Sequence, residues 1–304
     1  MKAGGQGRWS SRSLGSRFKH EIFYRLIRLA GPAPAYVLLY VVVFYYSLCP
    51  GVVRRSRPYL RRRFPAAGFF GLWRHAFRLN LSFGLALLER AIMGLGGQME
   101  FEAPEETKSL IEELLNEGRG LVVLTAHVGA WQTGMGWLMQ KRRPVNIVSR
   151  REPGDVDLHY FEHQGQEASR PKLIDPAEPA AAMAAMTAAL LAGEIVCLMG
   201  DRVRPGDSLV VPVSFLGAEI PVPGAPFFLA ARLGTPVAVV FTRRLGPLRV
   251  TGEAALVIRP PQAGRAARTD GALAPPAAAF AGALEQFVLA HPYQFFNFYD
   301  LWSA

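Results

Sequence analysis

The chain has 304 residues, half of them apolar, and a mean hydropathy of +0.15, more apolar than an ordinary soluble enzyme. That length accommodates one large α/β domain with an appendage and a sizeable core. The net charge is +10, yet residues 1–63 hold thirteen Lys and Arg against the single acid Glu21, so the remaining chain is slightly acidic. A nucleic-acid partner is excluded, because base recognition needs basic residues interleaved with stacking aromatics on a folded face. Cys49 and Cys197 are the only cysteines; they suggest no disulfide framework and lean toward a reducing compartment.

In chain order, residues 29–53 carry no charge, and their dense apolar part, Ala35 to Cys49, lies between Pro34 and Pro50. Fifteen helical residues rise about 22 Å, short of the roughly 20 residues a spanning helix needs. Both flanks are basic: Arg17, Lys19, Arg25 and Arg28 before, Arg54, Arg55, Arg57, Arg61, Arg62 and Arg63 after. Basic flanks are retained on the cytoplasmic side and attracted to anionic headgroups. The pattern favours a monotopic or re-entrant anchor over a true span. A buried core helix would leave the flanks unexplained, and a signal peptide would lack its cleavage site, since Arg54-Arg55 follows the apolar run. The expected division is a membrane anchor over 1–65 and an α/β domain over 66–304.

Residues 66–91 repeat apolar side chains at helical spacing, and Gly94 to Gly97 punctuate a turn. A surface helix is predicted over 105–116, ending near Gly118. Strands and helices then alternate: strand 120–126, helix 129–140, strand 145–149, helix 177–192, strand 195–199, helix 225–233, strand 236–242. Two more strands are predicted near 248–252 and 255–258, a loop over 260–277, and a helix over 274–290. This alternation predicts a mainly parallel sheet flanked by helices. The aromatic segment Pro292 to Trp302 is expected to pack back on the domain rather than hang free.

The stretch Leu121-Val122-Val123-Leu124-Thr125-Ala126-His127-Val128-Gly129-Ala130-Trp131-Gln132 is the most informative. It puts an imidazole at the C-terminal edge of a buried strand, where open α/β sheets bind ligands. Trp131 supplies a wall, and Gln132, on the first turn of the next helix, can accept from the imidazole N–H. Gly200-Asp201-Arg202 and Arg150 also follow apolar strands. A structural Asp–Arg pair is the plain reading of the former; a cation set to bind phosphate or an oxyanion is the functional one. Two motifs mislead. Gly206-Asp207-Ser208-Leu209 spells an esterase signature, but His291 lacks the Asp three residues before it, and no G-x-S-x-G elbow exists. His159 and His163 flank Glu162 at helical spacing, but lack the H-E-x-x-H order and a third ligand, so no metal site is expected.

His127 through Gln132, with Arg150, Gly200-Asp201-Arg202, Ser214-Phe215-Leu216-Gly217 and Pro223-Gly224, resembles the lysophospholipid acyltransferase superfamily, in particular its lipid A late-acyltransferase branch. The resemblance covers about residues 16–304. It implies that His127 acts as general base on an acceptor hydroxyl or amine that attacks an acyl thioester. Acyl carrier protein or coenzyme A would carry the acyl group as co-substrate, with no other cofactor. Membrane lipids and an acyl carrier protein are the implied partners, and the cytoplasmic face of the bacterial inner membrane the implied location. Arg150 would contact an anionic acceptor, while Asp201 and Arg202 would order the site or bind donor phosphate.

One residue departs from the family's pattern: Gln132 stands where Glu or Asp is usual. A neutral amide can orient an imidazole but cannot offset its positive charge. Amidating the orienting acid of a serine protease costs about 10⁴-fold in turnover. A lower but adequate rate, replacement by another acid such as Asp201, or lost activity are the three outcomes. The alternative is therefore a non-catalytic membrane protein that keeps the fold to bind acyl chains or a partner.

Overall fold

The computed structural model describes residues 17–134, 138, 143–149, 171–204, 206–260 and 269–303. Two compact units are present. Among the described residues, one comprises 17–99 and 291–303; the other comprises 100–134, 138, 143–149, 171–204, 206–260 and 269–290.

The first unit is helical: α1 (Arg17–Ala30), α2 (Pro32–Ser47), α3 (Pro50–Arg63) and α4 (Phe69–Gly94). The proline-bounded apolar run thus becomes α2, and proline at the start of α3 sits where its missing N–H is harmless. The two helices meet at 86°. Ala35, Leu39, Val43 and Ser47 form the buried face of α2, and Trp73 of α4 donates from Nε1 to the Ser47 carbonyl at 2.8 Å. The aromatic tail packs on α3 and α4. Phe295 and Phe296 are fully buried, Tyr59 meets Phe295 edge-on at 5.2 Å, and Phe83 packs against Phe296 and Phe298. The Tyr59 hydroxyl donates to the Pro292 carbonyl at 2.6 Å.

The second unit is the α/β body. In chain order it runs β1 (Glu100–Glu102), α5 (Glu105–Asn116), β2 (Leu121–Thr125), α6 (Trp131–Gly134), β3 (Val145–Val148), β4 (Lys172–Ile174), α7 (Pro179–Leu191) and β5 (Ile195–Met199). It continues with β6 (Val210–Phe215), β7 (Ala218–Pro223), α8 (Ala225–Leu233), β8 (Val237–Gly246), β9 (Arg249–Ile258) and α9 (Asp270–Ala290). Among the described residues, seven strands form one sheet in the order β1-β9-β8-β2-β5-β3-β4. Every neighbouring pair is parallel except β8 and β9. The mixed α/β architecture with a mainly parallel sheet is the one the alternating pattern predicts. β2 is buried at all five positions, as a continuous apolar run covered on both faces must be. Leu121 and Val123 join Ile195, Cys197, Ala238 and Val240 in a core closed by Ile111, Leu114 and Leu115 of α5. Cys49 and Cys197 are both free, and burial pushes the Cys197 thiol up to about 12.

Two local expectations differ from the structure, and a third element was not foreseen. The two short strands near 248–252 and 255–258 are one strand, β9, paired antiparallel to β8. Gly252 does not break it; a Cβ there would meet the Phe101 ring at 2.8 Å, so glycine makes room for the neighbouring strand β1. The expected loop 260–277 gives way to helix from Asp270 onward, despite Pro275 and Pro276. Leu273, Ala277, Phe280, Ala281, Leu284 and Val288 of that helix are buried at helical spacing, and this packing outweighs the lost backbone bonds. Lastly, β6 and β7 form a separate antiparallel hairpin. Its two turn residues, Leu216 and Gly217, have φ of 49° and 75°, the left-handed pair that a tight hairpin requires. The Leu216 N–H donates to Glu285 of α9 at 2.8 Å.

Candidate active site

β2 and β5 are hydrogen-bonded parallel neighbours, with Thr125 opposite Met199. Two residues further on each strand lie His127 and Asp201, so the same register brings them side by side. The Gly200 N–H donates to the Thr125 carbonyl at 2.8 Å and carries the pairing past the strand ends. Side-chain space fixes the two chains there. A Cβ on Gly200 would meet Phe280 at 2.8 Å and Leu124 at 3.0 Å. Gly129 has φ +54°, and a Cβ on it would fall 1.8 Å from the Thr242 carbonyl oxygen of β8. The turn after His127 therefore presses its backbone directly onto β8, which only glycine permits.

His127 Nδ1 lies 2.9 Å from Asp201 Oδ1 and 3.0 Å from Oδ2. An ionised carboxylate only accepts, so Nδ1 carries the proton and donates it between the two oxygens. The lone pair is left on Nε2, the basic atom of the neutral ring. The Asp201 side chain is 2% exposed and that of His127 20%: the acid is sealed in and the imidazole reaches the surface. Arg202 Nε stands 3.6 Å from Asp201 Oδ2. Burial pushes the Asp201 carboxyl up, but the charge and hydrogen bond of His127, with the Arg202 guanidinium, outweigh it and hold it below the usual carboxylate range. Asp201 thus stays ionised and able to stabilise a proton arriving on the ring.

Asp201 thus lies against the imidazole as a hydrogen-bonded acid. The Trp131 ring centroid lies 5.5 Å from that of His127 at an interplanar angle of 56°. Gln132 follows it on α6 and is half-buried. Arg150 lies outside the described residues, as do His159, Glu162 and His163. The esterase-like motif is a local turn, in which Asp207 Oδ2 accepts the Arg204 N–H at 2.8 Å. Among the described residues no three His, Cys, Asp or Glu side chains gather so as to hold a metal ion.

Thr242 and Phe280 support the site, and sequence reasoning did not single them out. Each acts through a glycine, Gly129 or Gly200, so the only signal was a glycine beside the reactive residue at each strand end.

Residues 98–304 match the family model described as bacterial lipid A biosynthesis acyltransferase, more than half of the chain. No curated protein matches the sequence.

Proposed function

The chain belongs to the bacterial lipid A biosynthesis acyltransferase family, and from this premise we propose that it is a working enzyme with His127 as general base and Asp201 as the acid that orients it. It moves a fatty acyl chain from an acyl thioester, carried on acyl carrier protein or coenzyme A, to a lipid or glycolipid acceptor at the cytoplasmic face of the bacterial inner membrane. Nε2 of His127 takes the acceptor proton as the acceptor atom bonds to the thioester carbon; the carbon–sulfur bond then breaks, and the proton passes to the leaving thiolate. Asp201 holds the tautomer and offsets the imidazolium charge, which Gln132 cannot. Arg202 orders Asp201, Gln132 and Trp131 position the ring, and Arg150 contacts an anionic acceptor.

The observation that carries this reading is the buried Asp201 carboxylate on Nδ1 of a partly exposed His127. It supplies a carboxylate despite Gln132, the residue that best supports the non-catalytic alternative. A direct test uses purified protein in detergent with radiolabelled acyl thioester and extracted membrane lipid. Wild type is expected to transfer label, and His127→Ala to lose the activity. If wild type is inert and Gln132→Glu transfers, the native chain is an acyl-binding relic and the proposed role of Asp201 is wrong.

A further inference from the structure

The helical unit holds an imidazole that the chemistry above does not use. His75, half-buried on α4, lies flat on the ring of Phe64 at the end of α3, with centroids 3.8 Å apart and an interplanar angle of 2°. Its Nδ1 is 2.8 Å from the hydroxyl of Tyr293 in the C-terminal segment. The Tyr293 ring stacks on both Phe64 and His75 at 5.9 Å, and its hydroxyl oxygen accepts from Arg78 Nη1 at 3.4 Å. One residue earlier, the Pro292 carbonyl takes the Tyr59 hydroxyl. The segment is thus tied to α3 through Tyr59 and to α4 through His75. Among the described residues, every charged group acting on the imidazole is a cation: Arg78 and Arg74 on its own helix and Arg63 at the end of α3. Arg63 also lies over the Phe64 ring, 4.8 Å from its centroid, so that ring's attraction for cations is already shared.

We propose that His75 is a proton-sensitive clasp: neutral, it holds the segment that begins at Pro292 onto α3 and α4, and protonated, it lets the segment go. The arrangement that gives every donor an acceptor has Arg78 donating to the Tyr293 oxygen, the Tyr293 O–H donating to Nδ1, and the ring proton on Nε2. A proton on Nδ1 undoes it. The Tyr293 oxygen would then face two cationic donors, and its own hydrogen would lose its acceptor. The imidazolium would stand among three arginines with no carboxylate to offset it. Burial first, then Arg78, Arg74 and Arg63, hold the ring below the ordinary histidine value. The clasp is therefore at full strength above the ordinary histidine value of about 6.5. It weakens as pH falls through that value and is spent below the lowered one. Release would uncover Phe295 and Phe296, now fully buried, together with Tyr59 and Phe83, against which they pack. Acid thus opens the helical unit, and this holds whether or not the chain transfers acyl groups.

The test is amide hydrogen exchange of the purified full-length protein in detergent, corrected for the intrinsic pH dependence of exchange. The Gln294 and Asn297 amides, bonded to the His291 and Phe295 carbonyls, report on the segment; those of β2 and β5 report on the sheet. In wild type the segment should be protected at about pH 7.5 and lose that protection at about pH 5.5, on either side of the ordinary histidine value, while the sheet stays protected at both. His75→Gln, whose side-chain carbonyl still accepts from Tyr293 but takes no proton, should keep the segment protected at both values. His75→Lys, charged at both, should lack the protection at both, with the sheet amides showing that it folds. A wild-type segment equally protected at the two values would overturn the clasp. So would the same acid loss in His75→Gln, a protected segment in His75→Lys, or sheet amides that exchange together with the wild-type segment, which is global acid unfolding.

Discussion

A carboxylate lies next to each end of β5, and the two carboxylates are used differently. At the N-terminal end, Glu194 accepts from Asn146 Nδ2 at 2.8 Å on one oxygen and from Lys172 Nζ at 3.1 Å on the other. At the C-terminal end, Asp201 holds His127 with both oxygens. Both acids are held below the usual carboxylate range: Glu194 by the Asn146 hydrogen bond and by Lys172, which outweigh burial, and Asp201 by His127 and Arg202. A depressed acid is thus no mark of chemistry by itself. The partner decides. An amide and an ammonium end their network, whereas an imidazole passes it on through a second nitrogen that reaches the surface.

That contrast breaks most sharply at His127. His127→Ala should lower acyl transfer by up to about 10⁴-fold, and Asp201→Asn by about 10²–10⁴-fold, through turnover rather than substrate KM. The double variant should be little worse than His127→Ala alone, because the two residues act as one unit. Full additivity, measured in the same radiolabel assay, would mean that Asp201 works apart from the imidazole.

Gly129→Ala should come next. Its methyl group would land on the Thr242 carbonyl, so a loss of about 2–4 kcal/mol of stability is expected by chemical denaturation, with transfer reduced as the His127 turn lifts off β8. A variant as stable as wild type would show that the turn can move away freely.

The third prediction separates the two carboxylates. Glu194→Gln should cost about 1 kcal/mol of stability and leave turnover unchanged. Because both acids have lowered folded-state values, each contributes stability that is present above the ordinary carboxylate range and is lost as pH falls through the folded value. Denaturation midpoints followed from about pH 7 down to pH 3 should fall less steeply for Glu194→Gln and Asp201→Asn than for wild type. An unchanged acid-side slope in both would contradict the assigned ionisation.

The smallest effect is expected at Gln132. With a carboxylate already on Nδ1, Gln132→Glu should change turnover by less than about tenfold, well inside the range of general-base contributions. A gain of several orders of magnitude would show instead that Asp201 is a poor substitute for the acid the family usually carries at this position.

The alternating apolar runs made the sheet legible, because a strand buried on both faces reads as a nearly continuous apolar run, as Leu121 to Leu124 do. Strand order was not legible. Nothing local to Leu121–Thr125 or Ile195–Met199 tells that they are neighbours in register, so Asp201 could be named as a replacement acid but not put on Nδ1. The hairpin at Leu216-Gly217 escaped for a different reason: a non-glycine residue occupies a left-handed turn position, where sequence patterns look for Asn or Gly. At Gly252 and Pro275-Pro276, residues that usually punctuate were overruled by a neighbouring ring and by a buried helix face.

The bond from Tyr59 to the Pro292 carbonyl joins positions 233 residues apart, and it sets an order of events during synthesis. When α3 and α4 leave the ribosome, the rings that will cover Tyr59 and Phe83 have not been made. The α/β body can close on its own residues while these helices wait with an uncovered aromatic side. The helical unit, although encoded first, is therefore finished last. A nascent chain stalled before residue 293 would hold a complete sheet beside an incomplete helical unit, and would be exposed there to proteases and holding chaperones.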